Sequence, residues 1–243
     1  MDFQIIHYEE LDSTNSEAWR LIDRLEISSN IVIIAKRQTK GRGQRGHIWQ
    51  SDLGGLFMSV ILQPDNMQPD ILAVNAHQIT LWAAWGIAKA LNETGANVKL
   101  KWLNDLLIDR RKLGGILTET RIVAEKINYA VVGIGINWTN EVPDSAIALG
   151  ELPTTLSNMD ELIEVVLSGI QLGQKCSDRS GMLSLLVEYV EMLSDKNVRK
   201  TIDGRELQGQ IIDIRPTGEL VVRWDGYSQN AIYQPQNFSV GYQ

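Results

Sequence analysis

Between Gln38 and Asp52 the chain places glycines at 41, 43 and 46, arginines at 42 and 45, and a tryptophan at 49. Glycine lacks a Cβ, so its backbone can approach a ligand closely. A guanidinium is a planar fork of donors that matches a carboxylate or a phosphate. Trp49 offers a flat face for a ring, or a cover for a pocket. Such a loop can grip a small anion attached to a nonpolar or aromatic body; taken alone, the same composition also makes a solvated turn.

Three other segments carry similar chemistry. Lys101-Trp102-Leu103-Asn104-Asp105 sets polar residues in apolar surroundings, and Lys112 runs into Gly114 and Gly115. A lysine beside open backbone acts as a point charge on a phosphate or carboxylate. Asp105 is a candidate for holding Mg²⁺ or a basic side chain, although a hairpin with a charged tip has the same residues. In Gly133-Ile134-Gly135-Ile136-Asn137 the alternate glycines clear space for a ligand or another backbone. Asn137 ends that strand, as a nucleotide contact or as a turn residue. Ser13-Thr14-Asn15 opens a helix whose N-terminus favours anions. Thr14 and Glu17 have capping-box spacing.

Other chemistries lack their signatures. There is no GxxxxGK(S/T) phosphate loop, no third glycine opening a helix after Gly135, and no GxSxG elbow. His7, His47 and His77 are too scattered for a metal site. Cys176 is the single cysteine, which excludes an intrachain disulfide and fits a reducing compartment. Its neighbours do not mark a nucleophile.

The formal charge is −7, from 30 acidic and 23 basic residues. An acidic chain is a poor general binder of DNA or of an anionic membrane. The positive charge is local: Lys36, Arg37, Lys40, Arg42 and Arg45 fall within ten residues containing no acid. That patch suits a phosphate-bearing metabolite. The N-terminus has no signal-peptide pattern, and no apolar run reaches the roughly 18 residues that span a bilayer. A cytoplasmic protein is expected.

Strands are expected at 3–8, 31–35, 56–62, 98–102, 106–108, 115–123 and 127–136. Helices are expected from Thr14 and over 71–93, 162–172 and 182–193. The 71–93 segment is apolar on most sides, which implies packing against a sheet. Four short strands at 198–202, 210–214, 220–224 and 230–233 follow, separated by turn residues. A tail of about 45 residues makes a small β-barrel that docks on the larger part. The expected domains are 1–195 and 196–243.

These segments, in this order, resemble the biotin-protein ligases, whose pattern combines Ser-x-Asn, GRGRRGR-x-W, KWPND, K-L-x-G-I-L-x-E and GIGIN. The chain supplies Ser13 to Asn15, Gly41 to Trp49, Lys101 to Asp105, Lys112 to Glu119 and Gly133 to Asn137. The resemblance implies an α+β fold: a mixed-sheet catalytic domain related to class II aminoacyl-tRNA synthetases, then an SH3-like domain. It implies a ligase that makes biotinyl-5′-AMP from biotin and MgATP and passes the acyl group to a lysine of a biotin carboxyl carrier domain.

By the same resemblance Ser13, Thr14, Asn15 and Gln38 surround the biotin head. Gly41, Arg42, Gly43, Gln44, Lys112, Gly114 and Gly115 follow the tail and the acyl-phosphate link. Arg45, His47, Trp49, Lys101, Asn104, Asp105, Lys112 and Asn137 serve ATP, with Asp105 toward Mg²⁺. Lys112, Arg42 and Asp105 carry the chemistry. No protein nucleophile is required, because fixed cations offset the repulsion between carboxylate and phosphate. Gln44 and His47 replace arginines of the pattern and Leu103 replaces its proline, so a looser hold on the adenylate and an altered turn are expected. Bifunctional members carry an N-terminal helix-turn-helix domain. Only about ten residues precede Ser13, so no repressor role is expected. A lipoate or octanoate ligase or transferase of the same superfamily, and a non-catalytic biotin-binding module, are the competing readings. The sequence leaves open whether a sheet edge pairs with the carrier or with a second copy in a homodimer.

Overall fold

The computed structural model describes residues 3–25, 30–63, 76–177, 179–202 and 205–235. Its larger sheet contains β1 (Phe3–Leu11), β2 (Asn30–Gln38), β3 (Leu56–Leu62), β4 (Lys99–Lys101), β5 (Asp105–Ile108), β6 (Arg111–Val123) and β7 (Lys126–Ile136). Their spatial order is β1-β2-β3-β7-β6-β5-β4. β1 and β2 run parallel and every other pair is antiparallel, so the sheet is mixed. The helices are α1 (Thr14–Asp23), α2 (His77–Glu93), α3 (Met159–Lys175) and α4 (Arg179–Glu191).

The central strands are apolar on both faces because both faces are covered. Ile31, Ile33, Ile61 and Val131 pack against Ala18, Leu21 and Ile22 of α1. Their chain neighbours Val32, Ile34, Val60, Leu62 and Val132 enter the larger core with α2, α3 and α4. Successive strand side chains point to opposite faces, so an unbroken apolar run here hides a period of two. α2 is buried on nearly all sides, as its sequence requires. It touches α3 through backbone: a Cβ on Gly86 would lie 2.1 Å from the Gly169 carbonyl oxygen. The 71–75 part of the expected helix lies outside the described residues.

Helix α1 starts where expected, but no capping box forms. Ser13 is the N-cap and makes no side-chain cap hydrogen bond. The Glu17 carboxylate instead accepts from Arg20 Nε at 2.6 Å, and the Thr14 hydroxyl donates to Gln38 Oε1 at 3.2 Å. Thr14 is thus the first helical residue instead of the cap, and its hydroxyl and the Glu17 carboxylate bond elsewhere.

The C-terminal strands β8 (Asn197–Ile202), β9 (Arg205–Ile214), β10 (Leu220–Trp224) and β11 (Ala231–Tyr233) form an antiparallel sheet in the order β11-β10-β9-β8. The expected hairpins are present. The sheet is open: among the described residues β8 and β11 are unpaired edges, so the expected closed barrel is not observed. Residues 236–243 lie outside the description. The sheet docks on the larger part, since Val198, Ile211, Leu220, Val222 and Trp224 belong to the main core. Trp102 Nε1 donates to the Gly218 carbonyl at 3.2 Å across that contact. Among the described residues no helix is long and apolar enough to cross a membrane.

Candidate active site

Strand register assembles the site on the α1 face of the sheet. Ser59, Gly133 and Leu117 sit side by side on β3, β7 and β6; Phe57, Gly135, Gly115 and Asp105 form the adjacent row, which extends to β5. A Cβ on Gly133 would lie 2.2 Å from Asn15 Oδ1, and one on Gly135 would lie 2.6 Å from the Trp49 ring. The alternate glycines therefore make room for two side chains, where the sequence pointed to a ligand or another backbone. Above this floor lies a cavity of about 600 Å³.

One end of the cavity is polar and tightly connected. Gln38 Oε1 accepts from the Thr14 backbone at 2.8 Å, and Gln38 Nε2 donates to Ser51 Oγ at 2.8 Å. The Ser59 hydroxyl is fully buried, 2.8 Å from Thr14 Oγ1 and 2.6 Å from Asn15 Oδ1. Asn15 Nδ2 donates to Glu119 Oε2 at 2.9 Å. Gln38 keeps a second N–H, and Thr14 Oγ1 and Asn15 Oδ1 each keep a lone pair for a ligand. Ser59 was not anticipated; a lone hydroxyl in the apolar run of β3 was the available signal.

The other end is cationic. Lys112 Nζ is 2.8 Å from Asp105 Oδ1 and 5.3 Å from the centre of the Trp49 ring. Alternation counted back from Gly115 would put Lys112 on the far face of β6. A register shift between Leu106 and Leu107 leaves Leu113 unopposed, with Lys112 paired to Leu107 and Gly114 to Leu106. That bulge turns Lys112 into the cavity. Backbone bonds from Lys112 N to Ser145 O at 2.9 Å and from Ile147 N to Lys112 O at 3.0 Å fix it there. Lys101, opposite Asp105 in the β4–β5 hairpin, also lines the cavity. Burial lowers its pKa to about 8, with Asp105 opposing and Lys112 adding to the shift.

The glycine-arginine loop closes the cavity from above. Gly43 N donates to His47 O at 2.7 Å and Trp49 N to Gly41 O at 3.0 Å, so the loop folds on itself. Arg42, Gly43, Gln44, Arg45, His47 and Trp49 all reach the cavity. Arg42 Nη2 lies 3.0 Å from Glu119 Oε2. Arg45 Nη2 donates to the Pro235 carbonyl at 2.7 Å, and Pro235 is itself part of the wall. The turn just after β11 thus borders the cavity, which nothing in the sequence signalled.

Two expected residues stay outside the lining. Gly41 packs on the Trp49 carbonyl and Ser51, and Gly114 lies against the Gly135 carbonyl. Their role is to let backbones approach. Asn104 and Asn137 reach the cavity, but each amide also secures backbone: Asn104 Nδ2 donates to Ile116 O at 3.0 Å, and Asn137 Nδ2 to Lys112 O at 3.2 Å. The Trp102–Leu103 peptide is cis. Its turn is held by the buried Tyr189 hydroxyl, which donates to Leu103 O at 2.7 Å. Burial pushes the ionisation of that phenol upward. Glu141, Val142, Pro143, Ser145 and Ala146 also line the cavity and carried no sequence signal. His7 and His77 are absent from its lining.

The described residues contain no group of three His, Cys, Asp or Glu side chains able to hold a metal. Asp105 is one carboxylate already paired with Lys112, so these residues do not build a resident metal site.

A model of the biotin/lipoate A/B protein ligase family matches residues 8–137. The bifunctional ligase/repressor BirA of Bacillus subtilis is 33% identical over 159 residues, which are 65% of this chain and 47% of that protein. The Escherichia coli protein of the same name is 29% identical over 226 residues, covering 89% and 68%. The chain spans about half the length of the first curated relatives it matches. Among solved structures, the biotin protein ligase from Aquifex aeolicus in complex with biotin and ATP superposes with a TM-score of 0.70 at 25% identity, covering 95% of this chain and 98% of that one. Because the family model covers more than half of its residues, the chain belongs to the biotin/lipoate A/B protein ligase family.

Proposed function

We propose that the chain is a biotin-protein ligase, which activates biotin with ATP and transfers it to a lysine of a biotin carboxyl carrier domain. The observation that carries this reading is one cavity with two unlike ends. Thr14, Asn15 and Gln38 present fixed neutral donors and acceptors, while Arg42, Lys112 and Lys101 supply cations. The first end suits an uncharged urea-like ring and the second suits phosphates. About 600 Å³ is within the range that holds an adenylate-sized ligand.

In the first step a carboxylate oxygen of biotin bonds to the α-phosphorus of ATP, and the bond to the leaving pyrophosphate breaks. Lys112 and Arg42 lower the repulsion between the two anions and stabilise charge on the α-phosphate. Asp105 orients the Lys112 ammonium. In the second step the carrier lysine amine attacks the acyl carbon, AMP leaves with the bonding electrons, and the amine loses a proton. Positioning supplies the rate in both steps. Mg²⁺ would arrive bound to the nucleotide, and no step assigned to the chain's residues depends on it.

Lipoate is the alternative acyl group. Its dithiolane ring offers no N–H or carbonyl to the polar end, and buried polar groups left unpaired by a ligand reject it strongly. A non-catalytic biotin sensor has no need for Lys112, Arg42 and Asp105 in one pocket. We further assign residues 1–195 to the catalytic unit and 196–243 to an SH3-like unit that borders the nucleotide end. The test is ATP–pyrophosphate exchange by the purified chain. Exchange should require biotin and fail with lipoate; exchange with lipoate alone would reverse the assignment.

A further inference from the structure

We propose that Glu119 is a positioning residue, which ties the polar end of the cavity to the anion-binding arginine through one carboxylate oxygen. Glu119 Oε2 accepts from Asn15 Nδ2 at 2.9 Å, from Trp19 Nε1 at 3.1 Å and from Arg42 Nη2 at 3.0 Å. The three donors come from α1 and from the glycine-arginine loop, which are far apart in sequence. Glu119 itself is absent from the cavity lining, so it acts through Asn15 and Arg42. This inference rests on the biotin ligase reading above.

The carboxylate fixes which way the Asn15 amide faces. Asn15 Oδ1 receives the buried Ser59 hydroxyl at 2.6 Å, and Asn15 Nδ2 faces Glu119 with Leu117 O at 3.4 Å. Turning the amide over would set its carbonyl against the carboxylate and its N–H groups against a hydroxyl. A charged acceptor makes that exchange costly, because hydrogen bonds to ions are about twice as strong as neutral ones. Trp19 adds a rigid third donor and stops the Glu119 side chain from following Arg42.

Arg42 is the exchangeable member. Its side chain is 44% exposed, and Nη2 is the nitrogen that meets Glu119. Held by one N–H, it stands ready at the cavity before the anion arrives, and phosphate or carboxylate oxygens then take its remaining donors. Asn15 needs only an acceptor at position 119. Arg42 needs the charge. Those two demands separate in the isosteric variant Glu119→Gln, whose carbonyl oxygen accepts but carries no charge.

The experiment measures biotin-dependent ATP–pyrophosphate exchange by the full chain and its Glu119→Gln and Glu119→Ala variants, with melting temperatures alongside. Glu119→Ala should raise the KM for biotin about tenfold. Glu119→Gln should restore that KM to within about threefold of the wild type, yet leave kcat lowered about tenfold. A split of this kind, with near wild-type melting of Glu119→Gln, is not produced by a general loss of structure. Wild-type KM and kcat in Glu119→Gln would overturn the proposal, as would KM and kcat changes that simply track melting temperature. If Glu119→Ala fails to fold, Glu119→Gln alone decides through its kcat. Absence of biotin-dependent exchange in the wild type is a separate result, which overturns the underlying functional reading and the proposal with it.

Discussion

The two ends of the cavity are built on different physical terms. At the polar end Thr14, Asn15 and Ser59 are buried, and each side chain has a partner in regular secondary structure. At the loop end Arg42, Arg45 and His47 are exposed, on a segment that bonds mainly to itself. The first arrangement is fixed before a ligand arrives, so little ordering entropy is lost on binding there. The second holds exposed cationic side chains by contacts to other segments, Arg42 to Glu119 and Arg45 to the Pro235 carbonyl. On the proposed function, selectivity for the acyl group falls to the rigid end and transition-state stabilisation to the cationic one.

The largest expected effect lies on the cationic side. Lys112→Ala should lower the exchange rate by about a hundredfold or more, as loss of a preorganised charge at a reacting centre does. The KM for biotin should change much less. A variant with full exchange activity would remove Lys112 from the assigned chemistry.

The rigid end should respond in the opposite sense. Ser59→Ala removes a fully buried hydroxyl between Thr14 and Asn15, which should destabilise the fold by about 1–3 kcal/mol and raise the biotin KM. Its kcat should stay near the wild-type value. Denaturant melts and saturation curves distinguish this from an effect on chemistry; an unchanged KM would show that the network is structural only.

A smaller effect is expected from restoring charge to the loop. Gln44 lines the cavity, and Gln44→Arg should slow release of the acyl-adenylate several-fold through one more cation on its phosphate. Release is followed by trapping the free intermediate, and an unchanged rate would place residue 44 away from that phosphate.

The smallest effect is a pH dependence at Lys101. With its pKa held down to about 8, this cation is present below that pH and is lost above it. ATP affinity should weaken on the alkaline side. Lys101→Arg, which stays charged, should flatten that limb; identical pH profiles would exclude Lys101 from nucleotide binding. Stability should move the other way. The buried ammonium opposes folding while both states are protonated, and the penalty is relieved as pH rises from about 8 toward 10.5, the ordinary lysine value.

Much of the sheet was legible because its strands are apolar runs bounded by glycine, proline or charge. β3 and β10 have the expected limits, Leu56–Leu62 and Leu220–Trp224. The site was legible as segments, because glycines beside cations are unusual in an acidic chain. What the sequence could not carry was side-chain direction. Lys112 enters the cavity through a bulge that simple alternation does not predict. Gly133 and Gly135 serve Asn15 and Trp49, and Pro235 comes from a turn distant in sequence. The capping-box reading failed because the helix begins one residue earlier than its spacing needs: Ser13 is the N-cap, Thr14 is inside the helix and bonds Gln38, and Glu17 pairs with Arg20 of the same helix.

On the proposed function, one cavity receives the acyl head at its rigid end and the nucleotide at its cationic end. A crystal structure of the chain with a non-hydrolysable biotinyl-adenylate analogue tests this most directly. The ureido ring should lie within hydrogen-bond distance of Thr14, Asn15 or Gln38, with the linking phosphate between Arg42 and Lys112. An analogue bound in the reverse direction, or outside this cavity, would contradict it.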